Sequence, residues 1–178
     1  MIWLSNSTLQ RLRDQLRERG QRPSIVATPG GVSPDAVEGM AVIAEYGVLT
    51  EAMYLMMSAD GQVTNDEREV LRGALRALST ETIRSSHIES LLDFAAKRVA
   101  EQGREARMDA VTHELKDDPA RAEVAFVLAA AIAFADNAIA DEENDTLNAL
   151  AEGLGIDEAR ATALLDGVEA DLAAHKEA

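Results

Sequence analysis

The sequence predicts an all-α fold, a compact bundle of about seven or eight helices read from the spacing of apolar residues. Three observations predict it. Apolar residues recur at three- and four-residue steps through most of the 178 positions, and no segment alternates with the period of two that a half-buried strand requires. The chain is 47% hydrophobic but only 3% aromatic, with alanine its commonest residue. A core of that composition is aliphatic and closely packed, and alanine is the best helix former.

The elements follow in order. Leu9, Leu12 and Leu16 form a narrow stripe in a segment from about Ser7 to Arg19, flanked by arginines and ended by Gly20. Gln21 to Ser33, with Pro23, Pro29, Gly30 and Gly31, reads as a linker. Ser33-Pro34 supplies an N-cap and a first-turn proline. Val37, Met40, Ala41, Ala44, Val48, Ala52, Leu55 and Met56 then hold a helical period to about Ala59, with a bend expected at Gly47. The Met53, Met56 and Met57 cluster continues that stripe and reads as core. Thr64 and Glu67 make a capping box for a helix through Leu71, Leu75 and Leu78. Ser79-Thr80 starts a further segment, and Ser86 with Glu89 reads as a second capping box ahead of Leu91 and Leu92. A polar helix is expected from Arg104 to Leu115. Asp118-Pro119 opens an apolar helix ending near Ala135, and two more are expected over Asp141–Gly153 and Asp157–Ala174. The domain division is therefore a basic arm and linker, 1–33, followed by a helical domain, 34–178.

Charge narrows the function classes. The formal net charge is -15. Residues 1–34 carry five arginines against Asp14 and Glu18, a net +3, while the remainder carries 12 basic and 30 acidic side chains, a net -18. Such a body repels phosphate backbones, so no nucleic-acid partner is expected. It favours cations and basic partner surfaces. The absence of cysteine excludes disulfides, thiolate metal sites and a cysteine nucleophile. Met1 to Leu4 is too short an apolar start for a signal peptide. The run Val124 to Ala135 is too short to span a bilayer. The expected location is cytoplasmic.

The most informative pattern is an internal repeat offset by 76 residues. Ala59-Asp60-Gly61-Gln62-Val63-Thr64-Asn65-Asp66-Glu67 aligns with Ala135-Asp136-Asn137-Ala138-Ile139-Ala140-Asp141-Glu142-Glu143. Each copy is an apolar helix, a tight corner bearing Asp, then a helix opening with acids. Two such hairpins could pack about a pseudo-twofold axis. Helix geometry alone explains much of the corner. Gly61 and Asn137 tolerate a left-handed turn, and acids suit a helix N-terminus. Two features point further. Asp60 and Asp136 sit at helix carboxyl ends, where a carboxylate opposes the dipole by about 0.3–1 kcal/mol unless something compensates. Glu143 persists although its cap position, Ala140, has no side-chain oxygen. A calcium EF-hand is rejected. With Gly61 at the sixth loop position the first and third become Met56 and Ser58, and Ile132 and Phe134 in the second copy. Any metal would have to draw ligands from elsewhere, for instance from both repeats at once.

The twofold occurrence of Ala-Asp-Gly/Asn-x-Val/Ile-x-x-x-Glu before a leucine-periodic helix resembles the TerB-like family of tellurite-resistance proteins, over roughly Val37 to Ala174. The resemblance implies a compact helical bacterial protein with no established catalysis, cytoplasmic or at the inner face of the membrane. It implies association with tellurite and other stress responses; a related domain begins a membrane-anchored DnaJ-type co-chaperone. Acidic residues of the family have been proposed to chelate metal, which here are Asp60, Glu67, Asp136 and Glu143. Asn137 departs from the usual glycine, a small departure because asparagine tolerates the turn.

The leading expectation is thus a non-enzymatic module that binds a protein partner, with a divalent cation (Ca, Mg or Mn) at the acidic corners, since oxygen ligands select hard ions. A carboxylate-dependent, metal-assisted hydrolase is the enzymatic alternative. His87, His113 and His175 lie in polar stretches, and Pro29-Gly30-Gly31 lacks the lysine of a phosphate loop. A third reading makes the protein a peripheral membrane adaptor through the arginines and Trp3 of the arm. Against it, Leu9, Leu12 and Leu16 could pack on the protein's own body.

Overall fold

The structure is a computed structural model that describes residues 2–17, 34–80, 82–135 and 139–177. The linker, Ser33, Asp136 and Asn137 lie outside the described residues. Eight helices and no strand occur among the described residues: α1 (Asn6–Arg17), α2 (Pro34–Met57), α3 (Asn65–Leu78), α4 (Ser85–Gln102), α5 (Arg104–Leu115), α6 (Pro119–Ala133), α7 (Asp141–Leu154) and α8 (Glu158–Glu177).

Helix α6 is the axis of the bundle. Asp118 caps it by accepting the N–H of Arg121, and Pro119 fills the first turn, where a missing N–H costs nothing. Every residue from Val124 to Ala133 is buried. A helix apolar on all sides must be surrounded, and α6 is: α2, α3, α7, α8 and α1 pack around it.

Helix α2 is the second central element, set between α4 and α6. Leu49, Met53, Leu55, Met56 and Met57 are fully buried, so the methionine cluster is core. The helix runs unbroken through Gly47. By length and composition its Gly39–Met57 stretch is apolar enough to cross a membrane, a property the shorter run at Val124 hid. The burial of its second half among α4 and α6 accounts for that hydropathy. Its first half leaves Met40 and Ile43 about half exposed.

One buried ion pair fixes how α2, α4 and α5 sit. Glu51 of α2 is 2% exposed and Arg107 of α5 is 7% exposed. Arg107 Nη2 donates to Glu51 Oε2 at 2.9 Å, and Arg98 of α4 stands 3.3 Å from the same oxygen. The carboxylate raises the guanidinium pKa of Arg107 by hydrogen bonding. Burying both charges is tolerable because each satisfies the other.

The cap expected at Ser86 and Glu89 does not form. Helix α4 begins at Ser85 with Arg84 in the cap position and no side-chain capping bond. Glu89 is drawn instead to Arg72 of α3, whose Nε donates to it at 2.8 Å. A charge-assisted, forked contact outcompetes a neutral capping bond.

The leucine stripe of the arm faces the body. Trp3, Leu4, Leu9 and Leu12 are buried in the common core, and Leu16 packs against it. Burial of such side chains contributes at most about 1.5–3 kcal/mol each. Gly73 of α3 makes the close approach available. A Cβ there would lie 2.6 Å from the backbone nitrogen of Ile2.

Candidate functional site: two acidic corners

The first corner joins α2 to α3. Ala59 and Gly61 continue the turn through bonds to the carbonyls of Met56 and Ser58. Gly61 then takes φ +81 with open space where a Cβ would stand, so its glycine is required by conformation and not by crowding. Asp60 is exposed, and its Oδ1 accepts the N–H of Gln62 at 2.8 Å. That turn bond answers part of the helix-end cost of the carboxylate. Thr64 and Glu67 form the expected capping box. Glu67 Oε2 accepts the Thr64 N–H at 2.6 Å and the Thr64 hydroxyl at 2.7 Å, while Thr64 Oγ1 accepts the Glu67 N–H at 3.2 Å.

The second corner joins α6 to α7. Ala140 holds the cap position at φ -72, ψ 159, close to the φ -80, ψ 163 of Thr64. Glu143 Oε2 accepts the Ala140 N–H at 2.8 Å. Here the sequence reading needs correcting: Glu143 does serve the helix end. The carboxylate half of a capping box requires only a backbone N–H from the cap residue, so Ala140 suffices. Asp136 lies outside the described residues.

The helices flanking the corners match closely. Helix α2 ends at 57 and α6 at 133; α3 runs 65–78 and α7 runs 141–154, the same offset of 76. The buried positions of α3 are Glu67, Val70, Leu71, Ala74, Leu75 and Leu78. Those of α7 are Glu143, Thr146, Leu147, Leu150, Ala151 and Leu154, each again 76 residues on. Both Glu67 (6% exposed) and Glu143 (8% exposed) are nearly enclosed.

Arg104, at the first position of α5, connects the two corners. Its Nη1 donates to the carbonyl of Leu55 and to Ser58 Oγ (3.0 Å), both at the end of α2. Its Nη2 donates to Thr146 Oγ1 at 2.7 Å, three residues beyond Glu143. The first turns of α7 are thereby held to the last turn of α2, against which α7 also packs. Burial pushes the Arg104 pKa down, and the negative carboxyl end of α2 offsets the desolvation. Sequence reasoning missed this residue. Its signal was an arginine opening a helix, where a cation opposes the dipole and needs a reason to be there.

Among the described residues no group of three His, Asp or Glu side chains stands close enough to share a metal ion. His113 and His175 are exposed, and half-buried His87 has an Nδ1 without a hydrogen-bond partner among the described residues. An open groove of about 620 Å³ between the ends of α5 and α7 and the start of α8 contains none of the corner carboxylates. Two of its charged residues, Arg160 and Glu123, pair with each other at 2.7 Å.

Fold and site together define a class of protein: a small all-helical domain built around an apolar central helix, with acid-bearing corners closing its hairpins. The family model for the tellurite resistance protein TerB matches residues 48–165. The chain belongs to the TerB family. The match runs from the last ten residues of α2 through the first eight of α8 and leaves α1 outside it. No curated protein and no solved structure matches.

Proposed function

We propose that this TerB-family chain is a non-enzymatic stress-response module, cytoplasmic or at the inner face of the membrane. In this reading it binds a protein partner and holds a divalent cation at its acidic corners. Asp60, Glu67, Asp136 and Glu143 supply the carboxylates. The observation that carries the reading is the Arg104 clasp, which ties the end of α2 beside the first corner to the opening turns of α7 at the second.

The capping bonds do not exclude the role. A carboxylate offers about four acceptor sites; Glu67 uses at least two of them on Thr64, and Glu143 at least one on the Ala140 N–H. An all-oxygen set suits Ca²⁺, Mg²⁺ or Mn²⁺, and a body of net -18 gains by neutralisation. The Arg104 guanidinium is a competing cation nearby, so the affinity would be modest. Seating of Trp3, Leu9 and Leu12 in the core favours a protein partner over a lipid one, because the arm's apolar face is already occupied.

Metal analysis of the purified protein tests the reading, together with melting curves taken with each ion and with chelator. Binding to the folded state raises the melting temperature in proportion to ln(1 + [L]/Kd). A curve that none of the three ions nor the chelator moves would contradict it.

A further inference from the structure

We infer that the outer face of α3 is an interaction surface for an acidic helix of a partner protein, engaged through Arg68 and Arg76. The inference rests on the protein-binding half of the reading above and makes no use of the cation. Neither arginine side chain takes part in the capping bonds of the corners, so the two can fail separately.

Arg68, Arg72 and Arg76 stand at steps of four along α3, so they form a ridge about 12 Å long on one side of the helix. All three are partly exposed, and all three act electrostatically on Glu89 of α4. The middle one is committed. Arg72 donates to Glu89 from Nε at 2.8 Å and from Nη2 at 3.3 Å, and to Glu69 from Nη1 at 2.9 Å. Its neighbours on either side are not. Among the described residues neither Arg68 nor Arg76 has a carboxylate partner, and Arg76 Nη2 donates to the Ser85 hydroxyl at 2.9 Å. That bond sets Arg76 beside the amino end of α4, which has no side-chain cap and no acid in its first turn. The partial positive charge of that helix end adds to the ridge.

Folding does not ask for these arginines. The equivalent positions of α7, 76 residues on, are Asn144, Asn148 and Glu152, although α3 and α7 bury the same set of positions. The hairpin helix therefore forms with no basic residue on its outer face. A guanidinium takes a carboxylate through a two-pronged, charge-assisted contact, so a helix with acids at four-residue steps matches the ridge. The acidity of the body selects among anions. A nucleic acid or an anionic bilayer presents its charge to the whole surface of net -18 and is repelled. A single helix lying along α3 meets the ridge alone, because exposed charges beyond about 8–10 Å are screened at physiological salt.

The test titrates the full, nitrogen-15-labelled chain with an alanine-based helical peptide carrying Glu at four-residue steps, followed by amide and arginine side-chain resonances. Saturable shifts are expected along α3 and at Ser85, fading as salt is raised. The same peptide with Gln for Glu should give none. The Arg68→Gln, Arg76→Gln double variant should bind at least ~10-fold more weakly. It keeps Arg72, which ties α3 to α4, and circular dichroism checks that its helical content is unchanged. No shifts, shifts away from α3, equal response to the Gln peptide, or equal affinity in the double variant would overturn the surface. Co-sedimentation with phosphatidylserine vesicles that depends on Arg68 and Arg76 would overturn the assignment to a protein partner.

Discussion

Arg104 Nη2 donates to Thr146 Oγ1 at 2.7 Å, and this contact, with the bonds from Nη1 to Leu55 and Ser58, joins three helices at one end of the bundle. Replacing Arg104 by Ala would remove one donor each from the Leu55 carbonyl and from the Ser58 and Thr146 hydroxyls, which keep their bonds to Tyr54 and Glu142. The expected loss is about 1–3 kcal/mol, that of hydrogen bonds made by a charged group. Arg104→Lys should recover less than half of it, since an ammonium cannot span the fork. Urea titration of the three proteins measures both numbers. Equal stability of wild type and Arg104→Ala would show that the clasp is ornamental.

Glu51 and Arg107 make the sharpest stability prediction. Glu51→Ala leaves the Arg107 guanidinium, with Arg98 beside it, without its carboxylate in the core. Removing one partner of a buried pair costs about 3–5 kcal/mol. Replacing both together, Glu51→Leu with Arg107→Met, should cost far less than the single change, because no charge is then stranded. A double-mutant cycle in urea decides between this and simple additivity.

The unequal caps of α3 and α7 predict opposite outcomes at equivalent positions. Thr64→Ala removes the hydroxyl that accepts the Glu67 N–H and should cost about 1 kcal/mol. Ala140→Ser supplies the missing half at α7, where the backbone already has cap geometry. It should stabilise by about 0.5–1 kcal/mol. Thermal melts of the two variants should move in opposite directions.

The Glu123–Arg160 pair sets a pH dependence. Hydrogen bonding to Arg160 holds the Glu123 carboxyl below its usual value. A carboxylate whose folded pKa is depressed contributes stability above its unfolded pKa, about 4.3, and loses it as pH falls through the folded value. Arg160 is half exposed, so solvent screening limits the contribution to about 0.2–1 kcal/mol. Arg160→Gln should therefore be less stable than wild type at pH 7 and indistinguishable from it once Glu123 is protonated. Denaturation at a series of pH values between 2 and 7, a range chosen to bracket the carboxylate pKa, reads the convergence.

Most of the fold was legible because helix ends are written in local chemistry. Thr64 with Glu67, and Asp118 with Pro119, stand where α3 and α6 begin. The stripe of α3 places its buried residues at steps of three and four. What local pattern could not reveal were pairings across the fold. Glu89 follows Ser86 at capping distance, yet Arg72, 17 residues earlier in sequence, claims it. Glu51 looks like a surface acid interrupting an apolar helix until Arg107, 56 residues on, is seen beside it. Of the candidate site, the 76-residue offset was visible in the letters. The enclosure of Glu67 and Glu143 and the Arg104 clasp depended on tertiary packing.

The measurement that bears most directly on the proposed function is calorimetric titration of Ca²⁺, Mg²⁺ and Mn²⁺ into the wild type and into an Asp60→Ala, Asp136→Ala double variant. Asp60 is exposed, and circular dichroism would check that the double variant retains its helical content. The prediction is saturable binding of at least one ion by the wild type, weakened at least ~10-fold in the double variant. Absence of binding to the wild type, or an affinity unchanged in the variant, would contradict a cation held at the acidic corners.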